Sequence, residues 1–146
     1  MTKPTAKHRA LSVLAGKWIT QGTIRATDDA ASAKMRAIDQ YEWLRGGFFM
    51  LHKVDALIGS TVSQSIEVIG YDAQQACYVT HSYDDQGKSD GFTARLKGRA
   101  WSIDGEKVRF RGAFNADGSI LAGTWEQSTD KKRWIPWMDI ELMKVT

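Results

Sequence analysis

The chain has a single cysteine, Cys77, and only two prolines among its 146 residues. One cysteine excludes a disulfide within the chain and fits a reducing compartment. No apolar run is as long as a signal-peptide core or a membrane span, so we expect neither export nor membrane insertion, and a cytoplasmic protein. We expect Cys77 to be a small buried hydrophobic side chain, because a reactive thiol needs a basic neighbour.

Recognised catalytic motifs are also lacking. The chain has no phosphate-binding glycine loop, paired-cysteine metal motif, serine nucleophile elbow or zinc-protease helix. Nothing in the sequence therefore gives positive support for catalysis, and we predict neither a metal nor a cofactor.

The composition is that of an ordinary globular domain, with 42% hydrophobic and 25% charged residues. A chain of this length fits one domain, 1–146. The net charge of +3 is spread among seventeen acidic residues, which is too dilute to imply a nucleic-acid partner. Six tryptophans are available to fill a core or to offer flat surfaces to a ligand.

Thirteen glycines lie mostly at turn signals about a dozen residues apart, a spacing that favours short strands over helices. The N-terminus is the exception, where Thr5 is placed to cap a short helix and Gly16 to end it. Residues 28–33, "DDAASA", are expected to form a loop. The sequence thus predicts an all-β fold of about nine or ten antiparallel strands with a short N-terminal helix. A barrel would hide the apolar face and remove the sheet edges, and a two-sheet sandwich is the alternative.

Alternation along each strand predicts which side chains face inward. On the second strand it puts the charged Arg36 and Glu42 outside; if that face were inward, they would mark a polar site. On the fourth it puts Ile66 and Val68 inside and Glu67 outside. The inward set predicted for the later strands is Phe92, Ala94, Leu96, Val108, Phe110, Phe114, Leu121, Gly123, Trp125, Gln127, Met138, Ile140 and Leu142.

A series of short segments resembles a bacterial lipocalin-like domain family of unknown function, in the calycin superfamily, over nearly the whole chain. The segments, in order, are "LAGKW", "LRGGFFMLH", "IEVIGYD", "SYDDQGKSDGF", "GTWEQS" and "WIPWMDIELMKV". The resemblance implies a calycin-type barrel in which Trp18, from the Gly-X-Trp at Gly16, packs across the closed end. It also implies that Lys144 covers this tryptophan in place of the usual arginine, and that the cavity takes small hydrophobic molecules.

The Gly-X-Trp start is similar to that of haem-binding nitrobindin-like barrels as well. Those barrels bind iron through a histidine late in the chain, whereas no histidine follows His81 here. Haem is therefore not expected.

Two of the three histidines are the leading polar candidates for a cavity site. His52 shares a face with Phe48 and Met50 if that face is inward, and His81 shares one with Tyr83. Two imidazoles in a cavity could orient a polar ligand group, act as a general base, or hold a metal with a third group such as Glu42. The structural alternative is that both histidines belong to the core or its rim and have their hydrogen bonds satisfied by neighbouring strands. The predicted ligand-binding residues are His52, His81, Tyr83, Phe48, Met50, Phe92, Phe110, Trp125 and Gln127.

The sequence favours non-covalent binding of a small, largely hydrophobic or aromatic molecule in a barrel cavity. One alternative is an enzyme that uses His52 or His81 as general base. Another is an interaction barrel that forms a homodimer through its outer surface. We expect no nucleic-acid or membrane partner; in "KVRFRGAF" the arginines and phenylalanines alternate and so lie on opposite faces of one strand.

Overall fold

Ten antiparallel strands close into a barrel behind a short N-terminal helix in the computed structural model, which describes residues 2–146. Each strand pairs with its neighbours in the chain, and the first pairs with the last. The all-β barrel with a short helix is thereby confirmed. The elements are α1 (Ala6–Ala10), a 3₁₀ turn (Leu11–Val13), β1 (Gly16–Ile24), β2 (Ala33–Trp43), β3 (Phe49–Ile58), β4 (Thr61–Asp72), β5 (Cys77–Asp84), β6 (Ser89–Lys97), β7 (Ala100–Asp104), β8 (Val108–Phe114), β9 (Ile120–Gln127) and β10 (Ile135–Lys144).

The helix and the 3₁₀ turn seal one end of the barrel. Leu11, Leu14 and Trp18 are completely buried there, and the Trp18 indole N–H donates to the Leu14 carbonyl at 2.7 Å. Lys144 Nζ lies 4.9 Å from the Trp18 ring centroid and donates to the Val13 carbonyl at 3.0 Å. The expected roles of Trp18 and Lys144 are confirmed. We call the buried residues at this end the closed-end cluster: Leu11, Leu14, Trp18, Met50, Ile69, Tyr78, Phe114, Leu121 and Leu142.

The sequence suggested that Gly16 ends the helix, but this expectation was wrong. The helix stops at Ala10, and Gly16 is the first residue of β1, with φ +130°. A Cβ at this position would overlap the carbonyl oxygen of Thr146. The C-terminus passes so close to β1 that only glycine fits, and this contact explains the residue better than a helix cap does.

The opposite end of the barrel is bounded by loops and tight turns. The β1–β2 connection, residues 25–32, contains most of the predicted 28–33 loop, although Ala33 already belongs to β2. The register of β10 shifts between Pro136 and Met138, an irregularity that places Trp137 at the cavity wall. Within residues 2–146, no helix is long and apolar enough to cross a membrane.

Inward and outward faces follow the predicted alternation on most strands. On β2, for example, Arg36 and Glu42 are exposed while Ala37, Asp39 and Tyr41 are buried. Cys77 is buried as expected.

On β4 and β5 the predicted facing was wrong. Ile66 is 42% exposed and Glu67 points inward instead, because Ile69, two residues further on, packs in the closed-end cluster and sets the alternation. On β5 the buried Tyr78 and Thr80 set it in the same way.

Candidate functional site

A cavity of about 420 Å³ lies inside the barrel, between the closed-end cluster and the mouth. Its two sides differ in chemistry. The wall built by β1–β5 carries the polar side chains Thr20, Asp39, His52, Ser63, Ser65, Glu67 and Ser82. The wall built by β7–β10 is apolar, with Trp101, Ile103, Val108, Phe110, Leu121, Trp125, Trp137, Met138, Ile140 and Leu142. Such a site is suited to a molecule with an apolar body and a polar group on one side.

His52 lies at the centre of the polar wall, between two carboxylates. Its Nε2 is 2.6 Å from Asp39 Oδ1, and its Nδ1 is 2.9 Å from Glu67 Oε1. The side chains of His52, Asp39 and Glu67 are only 12%, 9% and 17% exposed. The strand register creates the arrangement, since His52 pairs with Glu67 on one side and with Tyr41, two residues after Asp39, on the other.

The two carboxylates hold His52 in its charged form. Burial by itself lowers the pKa of His52, but the hydrogen bonds to Asp39 and Glu67 and the charges of both carboxylates outweigh it and raise the pKa from 6.5 to about 9. At neutral pH the ring is an imidazolium that donates from both nitrogens. It has no free lone pair, so this geometry gives no support to His52 as a general base.

Tyr41 and Thr20 complete the surroundings of this group. The Tyr41 ring stacks on the His52 ring with centroids 3.8 Å apart and an angle of 11° between the planes. Burial, with the charges of Asp39 and Glu67, raises the pKa of Tyr41 well above 10, so its hydroxyl stays protonated. Thr20 Oγ1 donates to Asp39 Oδ2 at 2.5 Å. Both oxygens of Asp39 are therefore occupied within the protein.

Glu67 is less fully engaged than Asp39. Among residues 2–146, it accepts a hydrogen bond from His52 on Oε1, and none reaches Oε2. Among the described residues, Thr80 Oγ1 is the one side-chain polar atom that is both fully buried and without a hydrogen-bond partner. Glu67 Oε2 also has no partner, so it cannot be fully buried. It is a charged acceptor open to the cavity.

Four of the predicted ligand-binding residues line the cavity: His52, Phe92, Phe110 and Trp125. Three others were misplaced by the sequence reasoning. Met50 is completely buried in the closed-end cluster, Phe48 packs in the turn before β3 with its ring 5.4 Å from that of His8, and Gln127 is exposed where β9 ends.

His81 and Tyr83 lie on the outer face of the barrel, so their expected place in the cavity was wrong. Tyr83 is 51% exposed, and His81 pairs across β4 with Val68. Because Thr80 is buried and side chains alternate along a strand, His81 and Tyr83 point outward. The enzyme alternative thus loses its second candidate base within the cavity.

Asp39 and Glu67 are the polar groups that the sequence reasoning missed. Asp39 shares its face with Tyr41, which the predicted orientation of β2 turned inward, and that signal could have found it. Glu67 had no comparable signal, because two β-branched apolar residues flank it.

The cluster is not arranged as a metal centre. The two carboxylates bind opposite edges of the imidazole ring, and so do not converge on one point. In residues 2–146 no group of three or more histidine, cysteine or acidic side chains is spaced to hold a metal ion.

The fold and the cavity define a ten-stranded β-barrel protein with a charged cluster on one inner wall. The chain belongs to the family described as "Protein of unknown function (DUF1579)", whose model matches residues 3–113. Rv2717c from M. tuberculosis, known from a crystal structure, is similar in fold, with a TM-score of 0.68 over 97% of this chain and 99% of that one. At 11% identity this likeness concerns the fold alone. No curated protein matches the chain significantly.

Proposed function

We propose that this protein binds a small, largely hydrophobic or aromatic molecule non-covalently in its barrel cavity, as lipocalin-like and other calycin barrels do. The observation that carries the proposal is the cavity of about 420 Å³, which has an apolar wall facing a wall of mixed polar and apolar side chains. Ligand pockets in proteins combine these same features, a mostly apolar lining and a few convergent polar groups.

Affinity in this proposal comes from removing apolar surface from water. Phe110 and Trp125, whose ring centroids lie 5.3 Å apart, belong to the apolar wall, and Phe92 also lines the cavity. Each Å² of apolar surface removed from water contributes roughly 25 cal/mol. His52 and its carboxylates, on the facing wall, orient the polar part of the ligand.

A cytoplasmic location belongs to the same proposal. The single, buried Cys77 supports it, because a protein without disulfides suits a reducing compartment.

Blocking the cavity tests the proposal. Ala56 lies on the cavity wall, and we expect Ala56→Trp to weaken binding of the neutral fluorescent probe N-phenyl-1-naphthylamine by roughly tenfold or more, because the indole occupies the space of the ligand. Fluorescence titration measures the dissociation constant.

Ala122→Trp is the matched control, since Ala122 is exposed on the outer face of β9. The same change there leaves the cavity empty and should leave probe affinity unchanged. A wild-type protein that does not bind the probe, or two variants that bind it equally well, would contradict the proposal.

A further inference from the structure

We propose that the ligand of this cavity is an amine: an aromatic or aliphatic body that carries a protonated nitrogen, which pairs with Glu67. The inference rests on the proposed binding function and specifies the chemical class of its ligand.

The charge balance of the cavity points to a cationic ligand. Two carboxylates, Asp39 and Glu67, line the cavity with one imidazolium, His52, while no lysine or arginine of residues 2–146 does. The acidic side chains at this wall therefore outnumber the basic ones by one. A charge removed from water is unfavourable unless it is paired, so a bound cation is favoured and a second anion is repelled.

The hydrogen-bond pattern identifies the atom that meets the cation. His52 occupies one oxygen of each carboxylate, and Thr20 occupies the second oxygen of Asp39. Of the four oxygens of these two carboxylates, only Glu67 Oε2 has no hydrogen-bond partner within residues 2–146. An ammonium at this oxygen would form a charge-assisted hydrogen bond, among the strongest that proteins make.

Two serine residues are neighbours of Glu67 in the sheet. Ser82 is directly opposite Glu67 in the β4–β5 register, and Ser65 lies two residues before Glu67 on the same inner face; both line the cavity. A primary ammonium has three N–H donors. The carboxylate and the two serine oxygens offer three acceptors, whereas a carboxylate ligand would bring its own charge against Glu67.

The apolar wall of the cavity indicates the kind of group that the rest of the ligand carries. Trp101, Phe110 and Trp125 face the charged cluster across the barrel and offer apolar and aromatic surface. The ligand class is therefore an alkylamine or arylalkylamine.

Three ligands with one body test the inference: 2-(1-naphthyl)ethylamine, 2-(1-naphthyl)ethanol and 3-(1-naphthyl)propanoate. In competition against N-phenyl-1-naphthylamine on the wild-type protein, we expect the amine to bind roughly tenfold or more tightly than the alcohol, and the carboxylate most weakly. This comparison needs no variant and so does not depend on the folding of one.

Glu67→Gln removes the charge while keeping an oxygen for His52. In this variant the amine should bind within about threefold of the alcohol, because the charge-assisted hydrogen bond is gone. Glu42→Gln is the matched control, since it removes the same charge from an exposed position on the outer face and should retain the preference for the amine.

Equal affinity of wild-type protein for amine and alcohol would overturn the inference, as would a Glu67→Gln protein that keeps the full preference. In either case, binding of the alcohol that is lost in Ala56→Trp would still support the proposed function. If the wild-type protein does not bind the probe, the proposed function fails as well.

Discussion

Replacing His52 by glutamine is expected to lower the free energy of unfolding by about 3 kcal/mol at pH 6, and by much less above pH 9. The cause is the cation that His52 places between Asp39 and Glu67, which raises its pKa from 6.5 in the unfolded chain to about 9 in the fold. That difference corresponds to about 3 kcal/mol of preferential stabilisation of the protonated form. The contribution is complete below pH 6.5 and is lost as the pH rises through about 9.

Urea denaturation of wild-type and His52→Gln proteins at pH 6, 7.5 and 9.5 measures the effect. The difference between the two free energies of unfolding should shrink steadily from pH 6.5 upward. His81→Gln is the matched control, because that side chain is exposed on the outer face, and it should change stability by less than about 0.5 kcal/mol. A wild-type advantage that stays the same from pH 6 to 9.5 would show that His52 is not held as a cation.

The barrel could be predicted from the sequence because its signals are local. Glycines at turns divide the chain into strands, and the Gly-X-Trp at Gly16 identifies the strand that meets the closed end. On β8, arginines and apolar residues alternate, so Phe110 was assigned to the inside correctly.

The facing of β4 and β5 could not be predicted in this way. Alternation gives two sets of side chains but does not say which is inside, and here both sets contain apolar residues. Ile66 and Tyr83 are the outward members, while the hydrophilic Glu67 and Ser82 point inward. What decides is the packing of Ile69 and Tyr78 in the closed-end cluster, a long-range contact that a single strand does not reveal.

The charged cluster was predicted in part for a related reason. His52 was placed on an inner face, yet its hydrogen-bond partners, Asp39 and Glu67, lie on other strands, 13 and 15 residues away in the chain. Which carboxylate meets which ring nitrogen depends on the register of β2 with β3 and of β3 with β4. That register is set by the whole barrel. The sequence could therefore predict a polar residue in the cavity, but it could not predict that this residue is a cation between two carboxylates.

Trp18→Ala is expected to destabilise the protein by about 4 kcal/mol, the largest loss that we predict for a single substitution. The indole is completely buried in the closed-end cluster, and its loss leaves a cavity that rigid strands cannot collapse to fill. It also removes the donor to the Leu14 carbonyl and the ring beneath Lys144. Thermal or urea denaturation measures the change.

Trp134→Ala serves as the control for Trp18→Ala. Trp134 lies just before β10 and is partly exposed, with the guanidinium of Arg109 4.4 Å from its ring centroid. This substitution should cost roughly 1 kcal/mol or less. Equal losses from the two substitutions would mean that the closed end does not stabilise the barrel.

Trp18 lies outside the cavity lining, so the fraction of Trp18→Ala protein that remains folded should keep its affinity for N-phenyl-1-naphthylamine. Stability and binding would then respond to different residues. Trp18 holds the closed end together, whereas the proposed ligand would contact the two cavity walls that carry His52 and Trp125.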